Sequence, residues 1–206
     1  MINTRRLRIG LGVLGMLLPI IVLVLSLANG SGFPDSISAT WWQWGYNQTP
    51  FMIILGSASI LLFSYSGYER IDDIVCSFAG AFALGICLFP CAMGYGKPVG
   101  ILSFLGMTDA ITGILHNISA FAFFGLLSFN SLFLFTKTSG DMTDNKKKRN
   151  IIFRVCGVGM LASFLMLLIP IPHIIWIVET IALAFFGVSW LTKANCIPFL
   201  FADKKN

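Results

Sequence analysis

The chain has 206 residues, 56% of them hydrophobic and 11% charged, with a mean hydropathy of +0.83. Soluble domains carry about 25% charged and roughly 45–50% apolar residues, so this balance excludes an ordinary water-soluble fold, a disordered chain and a disulfide scaffold. Fourteen basic against nine acidic residues give a net charge of +5, but the basic residues gather where membrane topology places them, and nucleic acid is not an expected partner.

A helix crosses a hydrocarbon layer about 30 Å thick with roughly 20 apolar residues, each rising about 1.5 Å. Six stretches meet or approach that length, near 9–27, 47–66, 74–93, 109–135, 151–170 and 173–192. Their solid apolar runs, without alternation, exclude a membrane barrel. The expectation is one all-α domain over 1–206, an integral membrane bundle of six transmembrane helices.

The first span follows Arg5, Arg6 and Arg8. Its apolar run exceeds the 7–15 residues of a signal peptide, so it reads as a retained helix, bent at Pro19. The loop after it holds Trp41, Trp42, Trp44 and Tyr46. Such rings settle at the headgroup level, which makes an interfacial belt the plainer reading and a cover over a pocket the alternative. The second span is short and begins before Phe51. The turn that follows gathers Glu69, Asp72 and Asp73 beside Arg70, a solvated hairpin with Arg70 as its local partner. In the third span Ala79/Ala83 and Ala81/Gly85, like Gly159/Ser163 later, are small-xxx-small pairs that let helices approach. Cys87 and Cys91 lie near its outer end. Thr108 caps the fourth span, which is long enough to tilt or project. Residues 137–150 form a polar loop, the one stretch that reads as disordered. Within it Lys146, Lys147, Lys148 and Arg149 fix topology and face the membrane surface, where anionic headgroups contribute about 1 kcal/mol per basic residue. The short turn at 171–173 makes the last two helices an antiparallel pair.

With the amino terminus inside, 13 of the 14 basic residues fall on the inner side and only Lys97 outside; Lys204 and Lys205 belong to the inner set. By the positive-inside rule both termini are cytoplasmic.

Several strings resemble one family of small bacterial polytopic integral membrane proteins of unknown function. They are LRIGLGVLGMLLP (7–19), SISA (36–39), YSGYERIDD (65–73), AGAFALGICLFP (79–90), HNISAFAFF (116–124), SLFLFTKT (131–138) and ETIALAFFGVSWL (179–191). They cover most of the chain in the family's order. The resemblance implies a six-helix fold in a bacterial inner membrane and no reaction. Trp41-Trp42 stand where the family tends to carry two tyrosines, Gln48-Thr49 where it carries an arginine–aspartate pair, and Cys91 where it carries a threonine. His116 and Glu179 stand where its histidine and glutamate are expected.

Ionisable groups within the spans are costly, about 2.5–3.5 kcal/mol on insertion scales, so each needs a partner or a wet cavity. Asp109, Thr112, His116 and Ser119 recur at spacings of three and four and share one helix face. Glu179 lies at a similar depth, with Cys87 in the same layer and His173 and Trp176 at the outer mouth. The working expectation is a His116–Glu179 hydrogen bond at the heart of an outward-facing polar pocket, lined by these residues, that binds or moves a lipid or small amphiphile. Two alternatives stand beside it. One is an intramembrane lipid hydrolase or transferase with His116 and Glu179 as acid and base. The other is a non-catalytic accessory subunit, whether in a homo-oligomer or a membrane complex, in which the same residues clasp helices together. His116, His173 and Glu179 offer donors for zinc, but no HExxH, CxxC or HxxxH spacing supports a metal site, and no cofactor is expected.

Overall fold

The computed structural model describes residues 3–94, 104–138 and 140–196. Among these the fold is entirely helical: α1 (Thr4–Ala28), α2 (Gln48–Phe63), α3 (Arg70–Leu88), α4 (Asp109–Phe129), α5 (Asp144–Ser163) and α6 (Ile174–Lys193). Five of the helical rods are long and apolar enough to cross a membrane. The exception, α2, has 16 residues, about 24 Å at 1.5 Å per residue. Above it the chain adds a short 3₁₀ helix, Ser38–Trp42, which is folded inward.

Local chemistry sets the ends. The Asn3 side chain accepts from Arg5 N at the start of α1, and α1 runs unbroken through Pro19. α3 opens with a capping box between Glu69 and Asp72, and Thr108 caps α4 by accepting from Ile111 N. The long fourth span absorbs its extra length in a π-helical turn, Asn130–Leu134. The polar segment read as a loop over 137–150 is helical from Asp144 onward. Thr143 accepts from Lys146 N, Asp144 suits the positive helix start, and the lysines and arginine that follow are good helix formers. α5 tightens to 3₁₀ at Phe164–Leu168 before the turn into α6.

Each helix packs on the next in sequence, and α1 packs along α6, so six rods close into a ring. The α1–α6 seam depends on missing side chains. A Cβ on Gly187 would stand 2.9 Å from the Gly12 carbonyl and closer still to Met16, and one on Gly15 would strike Phe186. The predicted Gly85 and Gly159 also mark close contacts, against Ser119 and Phe185. Aromatic rings fill the interior, with Trp190 edge-on to Tyr65 and Phe135 at 5.0 and 5.1 Å. The outward faces are apolar as well. Val13, Leu17, Ile20 and Val24 on α1, and Ile151, Val155, Val158 and Leu161 on α5, are exposed at helical spacing, as lipid-facing stripes require.

The end where α1 begins and α6 finishes is called proximal, and the opposite end distal. All eleven described basic residues lie within about three helical turns of the proximal end. Lys97, Lys204, Lys205 and residues 95–103 of the loop before α4 lie outside the described residues.

Candidate functional site

At the distal end the segment 36–41 does not lie on the surface. Ile37, Thr40 and Trp41 are buried, and the segment plugs the mouth of the ring. It is self-capped: Ala39 N donates to Ser36 Oγ at 2.8 Å and the Thr40 hydroxyl to the Ile37 carbonyl at 2.5 Å. Its tether is Glu179. One carboxylate oxygen accepts from Ile37 N at 2.5 Å and the other from the Ser38 hydroxyl at 2.8 Å. The acid thus sits against the start of the 3₁₀ turn, where backbone N–H groups lack partners and negative charge is favoured.

The expected His116–Glu179 hydrogen bond is not made. His116 is buried on α4, and its Nδ1 lies 2.7 Å from the Phe89 carbonyl at the end of α3. A carbonyl only accepts, so Nδ1 carries the proton. The physical reason is local. α3 ends at Leu88 with carbonyls unsatisfied, and in a bilayer no water replaces the missing partners. Side chains from neighbouring elements take that role. Besides His116, Trp41 Nε1 donates to the Cys87 carbonyl at 3.0 Å, and just beyond the helix Trp42 Nε1 donates to the Cys91 carbonyl at 2.8 Å.

These bonds also correct the reading of Trp41 and Trp42 as an interfacial belt. Trp41 is buried and Trp42 half-buried, packed edge to face at 5.1 Å. Only Trp44 and Tyr46 are exposed. The cover reading describes the loop better, although what it covers is mostly its own packing.

The predicted stripe on α4 does face inward, since Asp109, Thr112, His116 and Ser119 are all buried. Its members are engaged within the fold. Asp109 accepts from Met93 N and Gly94 N, the latter at 2.7 Å. Thr112 donates back to the Asp109 carbonyl at 3.0 Å, and Ser119 occupies the space a Cβ on Gly85 would need. His173 caps α6 in a left-handed conformation, φ 56°, with Nδ1 3.1 Å from Asp35. Trp176 N donates to the Asp35 carbonyl at 3.1 Å, and Phe33 packs against both rings at 4.8 Å. Both residues therefore dock the loop. Among the described residues no three His, Cys, Asp or Glu side chains gather as metal ligands, so His116, His173 and Glu179 are not a joint donor set. Cys87 is buried and free, and Cys91 is half-buried and free.

Beneath the plug lies a cavity of about 40 Å³, room for a few waters at roughly 10–15 Å³ each. Its walls are Leu18, Phe51, Leu55, Ile86, Phe123 and Leu183 among other apolar groups, with Ser38 and Glu179 as the polar members. Sequence reasoning missed the partner of the acid. The serines at 36 and 38 were visible, and serine is a residue that bonds local backbone N–H groups in turns, but nothing in the sequence pairs the segment with Glu179. It also missed a distal cluster in which Asn47 donates to Ser26 at 2.8 Å and to Gln43, with Ser26 donating to Gln43 at 3.0 Å.

At the proximal end Glu69 pairs with Lys137 at 2.6 Å, not with Arg70. Asp72 is buried and accepts from Tyr68 N and Glu69 N, while Asp73 accepts from Gly67 N. The acidic turn is thus folded onto its own backbone. Lys146 and Arg149 turn inward along one face of α5, while Lys147 and Lys148 are exposed. Scans against protein-family models, curated proteins and solved structures find no match.

Proposed function

We propose that the protein is a multi-pass binding protein for a lipid or small amphiphile, held in a bacterial inner membrane with both termini cytoplasmic, and that it performs no chemistry of its own. One observation supports the reading most. Glu179 stands at the wall of an otherwise apolar cavity, and the loop that closes the cavity is tethered by that same carboxylate. A ligand bearing an N–H or O–H head and an apolar tail would exchange its head for the loop's donors and place its tail among Leu18, Phe123 and Leu183. The cavity is far below the 300–1,000 Å³ of a drug-sized site, so entry requires the plug to lift and release the volume of Ile37 and Trp41.

The test is photolabelling in membranes with a diazirine-bearing long-chain alkylamine, followed by mapping of the modified residues. Labels on Phe51, Ile86, Phe123 or Leu183 support the proposal. Labels confined to lipid-facing Ile20, Ile114 and Ile118 defeat it.

A second reading, the accessory subunit, is favoured by the way polar groups are spent within the fold: Ser59 on the Gly80 carbonyl, Ser128 on that of Gly157, and Ser131 on Ser189, at 2.6–2.8 Å. Recovery in a stoichiometric complex with another membrane protein, without internal labelling, would decide for it. The hydrolase reading draws no support, because His116 and Glu179 serve separate backbone partners.

A further inference from the structure

A larger hollow opens at the proximal end. Its volume is about 420 Å³, within the range of small-molecule sites, and it is lined by residues from separate parts of the fold. Arg8 comes from α1, Lys137 from the segment after the π turn, Lys146 and Arg149 from α5, and Lys193 from the end of α6. Among the described residues the lining sets two acids, Glu69 and Asp141, against these five cations. Glu69 is already engaged by Lys137 at 2.6 Å.

Three of the cations, Arg8, Lys146 and Lys193, are held by neutral groups among the described residues. Arg8 donates to the Tyr65 hydroxyl at 3.3 Å and to the Lys193 carbonyl at 3.4 Å, and its Nε is buried with no partner. Lys146 donates to the Phe135 carbonyl at 2.9 Å. Among the described residues the Lys193 ammonium has no hydrogen-bond acceptor; it sits over the rings of Tyr68 and Phe135 at 4.9 and 4.8 Å. Ring faces and carbonyls hold a cation in place without neutralising it. Like charges from separate elements repel, and Arg8, Lys146 and Lys193, gathered around an open hollow with no carboxylate bonded to them among the described residues, present donors suited to an anion.

We infer that this hollow is a binding site for a phosphate-bearing anion. Arg8, with its fork of donors, and the Lys146 and Lys193 ammoniums would meet the phosphate oxygens, and the ring of Tyr68 would stack beside them. Such a phosphate has two sources, an anionic lipid headgroup or a soluble phosphate compound. The hollow opens at the end of a membrane bundle, and the exposed apolar residues Ile71 and Ile151 lie two residues along the chain from its lining residues Glu69 and Arg149, as suits a headgroup site.

The experiment uses the full chain in maltoside detergent. Native mass spectrometry counts bound dioleoyl phosphatidylglycerol, with phosphatidylcholine as the uncharged-headgroup comparison, and a second arm adds inorganic pyrophosphate. Saturable binding of one phosphatidylglycerol, displaced by pyrophosphate, is the expected result. Binding in the pyrophosphate arm alone supports the same site with a soluble ligand. K146Q/K193Q should weaken binding about fivefold per lysine, whereas K147Q/K148Q, which removes the same charge from exposed positions on the same helix, should leave it within twofold. Equal losses in the two double variants would show diffuse surface attraction and overturn the site. So would equal retention of the two lipids with no effect of pyrophosphate. If K146Q/K193Q does not fold, the wild-type displacement result alone decides.

Discussion

Replacing Glu179 with alanine removes the acceptor for Ile37 N–H and the Ser38 hydroxyl. Hydrogen bonds to charged groups contribute about 1.5–3 kcal/mol and neutral ones about 1 kcal/mol, while polar contacts inside membranes average near 0.6 kcal/mol. The same substitution relieves the cost of keeping a carboxylate in an apolar wall, which offsets part of the loss. A net weakening of about 2–3 kcal/mol follows, and at 1.4 kcal/mol per tenfold the plug should open roughly 30- to 140-fold more often. Hydrogen exchange followed by mass spectrometry on protein in lipid nanodiscs reads this directly. Amides at 37–42 should exchange faster by that factor, and those of α3 and α5 should not change. Glu179→Gln keeps a carbonyl acceptor and should fall between wild type and alanine, and Ser38→Ala, losing one bond, should accelerate exchange about fivefold. The reasoning fails if exchange at 37–42 in Glu179→Ala stays within twofold of wild type. It fails equally if all six helices accelerate together, because that is global loosening and not release of a tether.

Three further outcomes test the packing. His116→Phe should cost about 1–2 kcal/mol in detergent unfolding by leaving the Phe89 carbonyl unpaired, whereas His116→Asn, whose amide reaches the place of Nδ1, should lose less than half as much; equal losses would deny that the imidazole is a carbonyl donor. Trp41→Phe preserves the buried ring but not the bond to Cys87, so about 1 kcal/mol should be lost, with Tm measured by thermal unfolding, and no change would mean the indole N–H contributes nothing. Gly187→Ala forces a methyl against Met16 and the Gly12 carbonyl and should cost about 1–3 kcal/mol. Gly125→Ala, on a helix with no atom within 4 Å of the new methyl, should be neutral or gain up to about 1 kcal/mol. Similar effects at the two glycines would mean the α1–α6 seam is not tight.

The helical membrane architecture was legible in the sequence because it rests on long apolar runs, and the inward face of α4 was legible because Asp109, Thr112, His116 and Ser119 keep helical spacing. Pairings between elements were not. Periodicity says that His116 faces inward, but whether it meets Glu179 or a carbonyl depends on where α3 stops, and Phe89 is outside that helix by a single residue. The role of 36–41 was hidden for a related reason. Aromatic residues in a loop between two spans carry the same signal whether they lie at a headgroup layer or fold into the bundle. The basic run Lys146–Arg149 divided only once α5 was seen to begin at Asp144, since a helix turns 146 and 149 to one side and 147 and 148 away. The missed glycine seam has the same origin. Gly12 and Gly187 are far apart in sequence, and neither sits in a small-xxx-small pair that would have marked it.

The polar residues of the bundle fall into two kinds, and the division bears on where a ligand can act. Ser59, Ser128, Trp41 and His116 donate to backbone carbonyls of adjacent helices or helix ends, and Trp42 to that of Cys91 in the segment after α3. The Gly80 and Gly157 carbonyls also accept within their own helices, so the serine contacts there add a second bond. Those of Trp41, Trp42 and His116 serve carbonyls at or beyond the end of α3, and a ligand that displaced them would leave a buried acceptor unpaired. Glu179 is different. Its partners belong to a loop, not to a helix, and the donors it takes are of the kind a small head group carries. Lifting the loop exposes one carboxylate and a few N–H groups at the distal mouth, where water has access, so the displaced groups regain partners. In the distal half the Glu179 tether, like the contact of Asp109 with Met93 N and Gly94 N, joins a carboxylate to loop donors and not to a helix. At the proximal hollow Arg8, Lys146 and Lys193 are held by rings, a hydroxyl and carbonyls among the described residues. The proposed ligands would therefore act at the two ends of the bundle, where side chains meet loop donors or neutral groups, and not in its packed middle.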